Sequence, residues 1–138
     1  MGNAIWLNVS LPTWFLSLLA NPFVFFPWSI MASLGVLAGF SGVLLAVRKR
    51  EKRALWALPP LIASHLLVTI AGLFRGQVNE GVDVALLIFL AVQILYAIGF
   101  IVKMNGARLI SGALCLFNVG YGLMAMFIAA MAFPDIWI

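Results

Sequence analysis

Charge is what this sequence has least of. Asp, Glu, Lys and Arg make up 9% of its 138 residues and apolar side chains 65%, where soluble domains average roughly 25% charged and 45–50% apolar. A water-soluble fold this apolar lacks the polar groups to cover its surface. Disorder is excluded for the same reason, since disordered chains are rich in charge and poor in apolar residues. There is one cysteine, Cys115, and one histidine, His65. A lone cysteine excludes an intramolecular disulfide framework. Together the two fall short of the several ligands that hold a catalytic zinc, so no metal is expected. No nucleophile–base constellation is visible either, so no catalytic residue is expected and the chain reads as a non-enzyme. No Lys or Arg precedes the first apolar run, as the basic n-region of a secretory leader would require.

What is present is apolar length. Four runs, 26–47, 54–74, 84–102 and 109–133, contain no Asp, Glu, Lys or Arg. A helix needs about 20 apolar residues to cross some 30 Å of hydrocarbon, and each run is near that length. The chain is therefore expected to be a single all-α domain over residues 1–138. Its expected form is an integral membrane bundle of four transmembrane helices.

The net charge of +4 points to lipid rather than nucleic acid, because of where the cations fall. Arg48, Lys49, Arg50, Lys52 and Arg53 follow the first run, and Lys103 and Arg108 follow the third. These read as headgroup-contacting side chains and orientation signals. The loop between the second and third runs carries Glu80 and Asp83 instead. The positive-inside rule then puts both basic turns in the cytoplasm and both termini outside. Trp14, Trp28, Trp56 and Trp137 fall near the expected interfaces, as an aromatic belt would.

Residues 11–25 are too many to add to the first span, and Asn21-Pro22 and Pro27 interrupt them. A short interfacial helix is expected there, with Thr13, Ser17 and Asn21 on one narrow polar stripe. Asn8-Val9-Ser10 is a formal glycosylation sequon, a frequent chance match. "VRKREKRAL" (47–55) and "VKMNGARLI" (102–110) align at an offset of 55. That pattern suits two parallel hairpins, although any two basic turns look alike.

Polar side chains inside the runs are few. His65, Gln93 and Asn118 lie near the middle of the second, third and fourth spans, with Tyr96 and Tyr121 at i+3 from Gln93 and Asn118. Polar groups in hydrocarbon are costly unless partnered, so these faces should turn into the bundle as interhelical glue or as a midplane site. The set includes no carboxylate, which disfavours ion-coupled transport. Haem or chlorophyll ligation by His65 is a minor alternative. In the first span Gly35, Ala38, Gly39 and Gly42 form overlapping small-xxx-small pairs, which let helices approach closely. Pro59-Pro60 should kink or widen the start of the second span.

The functional expectation is a non-catalytic accessory or structural subunit of a larger membrane complex. Its partners would be the bilayer and other membrane subunits or copies of itself. The alternative is a homo-oligomeric channel or facilitator for a small neutral solute.

Overall fold

The computed structural model describes residues 2–20, 28–77 and 81–134, and among these there is no strand. Five α-helices follow one another: α1 (Gly2–Ala20), α2 (Trp28–Arg48), α3 (Leu58–Leu73), α4 (Val82–Lys103) and α5 (Arg108–Ala132). A six-residue 3-10 helix, Lys52–Ala57, leads into α3. Lys52–Leu73, Val82–Lys103 and Arg108–Ala132 are long and apolar enough to cross a membrane. They correspond to the runs 54–74, 84–102 and 109–133. The first run, 26–47, begins outside the described residues, and the apolar stretch Ser33–Arg48 of α2 is shorter. Asn21, Pro22, Pro27, Glu80 and Trp137 also lie outside the described residues, as does the Trp28 side chain.

Helices form here because apolar side chains need every backbone group paired internally, and they stop where charge and turn chemistry intervene. Arg48 closes α2. The Arg50 N–H then bonds the Val47 carbonyl and the Glu51 N–H the Ala46 carbonyl, which is the Schellman pattern. Arg50 holds the left-handed position of that motif with φ 52°. Glycine is the usual occupant, and a side chain there costs roughly 1–2 kcal/mol. α4 ends at Lys103 in a turn through Gly106, where φ is +89°. Arg48 and Lys103 thus end their helices at the offset of 55, but a 3-10 helix follows one and a bare turn the other.

α5 is the centre of the assembly and packs against each of the other helices. Its apolar window is 44% buried, against 17% for α4. Tyr121, Ala125, Ile128, Ala129 and Ala132 recur on its inner face at helical spacing and are buried. α4 buries only Leu86, Gln93 and Phe100, one residue in seven. Its outward face, including Leu87, Leu95 and Val102, is exposed and apolar.

The small residues of α2 are turned onto α5. A Cβ on Gly39 would stand 2.5 Å from Cδ2 of Phe117, and one on Gly42 would stand 3.1 Å from Leu114. Gly35 is buried over the α5 backbone beside it, with Ala38 half-buried on the same helix. These glycines therefore permit the α2–α5 approach inside one chain.

α1 begins well before residue 11 and carries Pro12 within it. Ala4, Leu7, Leu11 and Phe15 form its buried stripe. Ala4 lies against Gly72 near the end of α3, and Phe15 lies against Gly120 at the middle of α5. The helix therefore descends along the bundle rather than staying at one level. Thr13 and Ser17 face outward and bond the Val9 and Trp14 carbonyls of their own helix.

Candidate functional site

Most of the polar side chains that bond from one helix to another gather into two groups. The first surrounds His65. Asn8 donates through Nδ2 to the Ala4 carbonyl at 2.9 Å and to Thr69 Oγ1 at 2.8 Å. A carbonyl oxygen only accepts, so the Asn8 amide has one orientation, with Oδ1 toward His65 Nδ1 at 2.8 Å. Nδ1 must then carry the imidazole proton, leaving Nε2 as the acceptor for the Tyr121 hydroxyl at 3.0 Å. Thr69 completes the set by donating to the His65 carbonyl at 2.7 Å. In this tautomer each donor meets an acceptor. No carboxylate contacts the imidazole among the described residues.

Packing fixes this arrangement. Tyr121 stacks on Phe117 with centroids 5.8 Å apart, and Phe15 meets both rings edge-on at 5.6 and 5.2 Å. Gly72 lets the α1 backbone come close enough for Asn8 to reach α3. A Cβ there would stand 2.6 Å from Cα of Ala4.

The second group forms around the start of α3. Pro59 and Pro60 have no N–H, so the carbonyls one turn earlier lose helical donors. The Leu58 N–H takes the Leu55 carbonyl in 3-10 fashion. The Trp56 carbonyl, which an N–H on residue 60 would have met, accepts the Tyr96 hydroxyl at 2.7 Å. Asn118 Nδ2 donates to the Ala57 carbonyl at 2.8 Å. Gln93 Nε2 donates to the Pro60 carbonyl at 3.1 Å, beside Ser64, whose hydroxyl bonds the same carbonyl at 2.9 Å. α4 and α5 thus supply a collar of side chains around the proline turn, and the Tyr96 hydroxyl restores the partner that the Trp56 carbonyl lost.

The five residues expected at one midplane site are thus divided. His65 and Tyr121 meet each other; Gln93, Tyr96 and Asn118 go to the collar. Sequence reasoning missed Asn8, which it treated only as the head of a sequon. Its Nδ2, the atom that a glycan would occupy, is engaged between Ala4 and Thr69. The signal was the spacing of Ala4, Leu7, Asn8, Leu11 and Phe15, a single helical face.

A haem iron or chlorophyll magnesium at His65 would have to displace Tyr121 from Nε2 or Asn8 from Nδ1. Cys115 is buried, with Sγ 3.5 Å from the Ala97 carbonyl. Among the described residues no three His, Cys, Asp or Glu side chains lie together.

Of the expected headgroup residues, Arg48, Lys49, Arg50, Lys52, Arg53, Lys103 and Arg108 are all exposed at the two turns. Glu51 forms a bidentate pair with Arg53, Oε1 to Nε at 2.7 Å and Oε2 to Nη2 at 2.8 Å. That hydrogen bonding lowers the Glu51 carboxyl to about 2. Lys103 places Nζ 4.2 Å from the centroid of the Trp56 ring. Compared with family models, curated proteins and solved structures, the chain matches none of them.

Proposed function

We propose that this chain is a small polytopic membrane protein with a structural role, a non-catalytic subunit of a larger membrane assembly. In this reading α2, the 3-10 helix with α3, α4 and α5 are four spans. α1 packs along them from the end opposite the basic turns to the level of His65 and Tyr121. Those turns are cytoplasmic and both termini are outside, a reading supported by the clustering of seven of the eight Lys and Arg there.

One observation carries the structural role. His65, Gln93, Asn118, Tyr96 and Tyr121 are all engaged in hydrogen bonds inside the chain. The outward faces of α2 and α4, by contrast, present Phe40, Leu44, Leu87 and Leu95. Bonds of this kind join helices at about 0.6 kcal/mol each. A solute path would need the same groups free to face water.

The test has two arms. Extracted from native membranes in mild detergent, the chain should migrate with other polypeptides at fixed stoichiometry. Reconstituted alone, it should give liposomes no more permeable to small neutral solutes than protein-free ones. A pure homo-oligomer whose solute flux changes on Asn118→Leu would establish the channel instead.

A further inference from the structure

We propose that the cleft between the 3-10 helix and the last turns of α4 is a binding site for one anionic phospholipid. This proposal rests on the membrane reading above. Trp56, Tyr96, Gly99, Phe100 and Lys103 line a half-open groove of about 140 Å³. Sites that enclose whole small molecules run from about 300 to 1,000 Å³, so this groove holds only part of a larger, elongated ligand.

Its chemistry is divided along its length in the way a phospholipid is. At one end Lys103 lies over the Trp56 face, with no carboxylate partner among the described residues. The ring holds the ammonium in place, and the donors turned away from its face remain for a phosphate oxygen. Gly99 forms the floor, where nothing lies within 4 Å of the position a Cβ would take. That opening admits a stretch of acyl chain. Beyond it the exposed Leu95, Val92 and Ile88 of α4 continue an apolar surface for the remainder. Tyr96 is held in the wall by its bond to the Trp56 carbonyl, so the groove is built on the proline collar and does not need a ligand to form.

The headgroup preference follows from charge. The two turns beside the groove carry seven cations and one carboxylate, and that carboxylate, Glu51, is already engaged by Arg53. A zwitterionic headgroup would bring its own cation to a place already cationic. An anionic one would not.

Native mass spectrometry of the full chain, extracted in mild detergent and supplied with equal phosphatidylglycerol and phosphatidylcholine, tests the proposal. The wild type should retain one phosphatidylglycerol in preference to phosphatidylcholine. Lys103→Gln should cut that preference about fivefold, the effect of one basic side chain near an anionic surface. Gly99→Leu, which fills the floor, should abolish retention of either lipid. Arg48→Gln removes the same charge outside the groove and should leave retention unchanged. Equal retention by wild type, Lys103→Gln and Gly99→Leu would overturn the site. So would an Arg48→Gln loss as large as that of Lys103→Gln, which would mean diffuse attraction. A chain that stays dispersed without detergent would instead remove the membrane reading itself.

Discussion

Replacing Tyr121 with Phe removes a single hydroxyl and little else. The ring keeps its stack on Phe117 and its edge contact with Phe15. What disappears is the 3.0 Å bond from the hydroxyl to His65 Nε2. Interhelical hydrogen bonds in membrane proteins contribute about 0.6 kcal/mol on average and up to roughly 1.7. Here the deletion also leaves a ring nitrogen without its donor in an apolar setting, so the loss should be about 1 kcal/mol. The assay is reversible unfolding of the detergent-solubilised chain with increasing SDS. It should be run on Tyr121→Phe, His65→Leu and the double variant, so that the cycle isolates the pair. Non-additivity near 1 kcal/mol is expected. Effects that add to within about 0.3 kcal/mol, or a stabilising Tyr121→Phe, would refute the inference that the pair joins α3 to α5.

Four further outcomes follow from the structure. The His65 imidazole should show the nitrogen chemical shifts of the Nδ1-protonated tautomer, because the Ala4 carbonyl fixes the Asn8 amide; a proton on Nε2 would reverse that assignment. Gly72→Ala should destabilise by about 1–3 kcal/mol as an overpacked contact, since its Cβ meets the Ala4 backbone; Gly112→Ala, where the space is open, should gain up to about 1 kcal/mol of helix propensity. Glu51 should titrate near 2 and return toward 4.5 in Arg53→Gln. Its folded value lies below the unfolded one, so the stability from the pair is present above about pH 4.5 and lost as pH falls toward 2.

The parts of the fold that were legible in the sequence are those set by the solvent. Apolar length and the cations that end it are properties of the chain alone, so the helices α3, α4 and α5 stand close to where hydropathy put them. α1 was less legible because Asn3, Asn8, Ser10 and Pro12 dilute its hydropathy. Asn8 and Ser10 nevertheless turn inward or bond their own backbone, which an average over a window does not register. The polar partners were the least legible. Whether Asn118 reaches His65 or the Ala57 carbonyl depends on the relative rotation of two helices, and that is settled by packing such as Gly39 on Phe117. The collar was partly deducible, since adjacent prolines that follow a helical turn leave carbonyls of that turn in need of donors. Which donors come depends on how α4 leans on α5.

The most direct measurement is the water accessibility of the polar interior in a liposome. Cysteine placed at position 118 by Asn118→Cys, in a Cys115→Ser background, should react with a small water-soluble thiol reagent no faster than native Cys115 does. Rapid modification from either side of the bilayer, competed by a neutral solute, would mean that water reaches these groups and that they line a path rather than hold helices together.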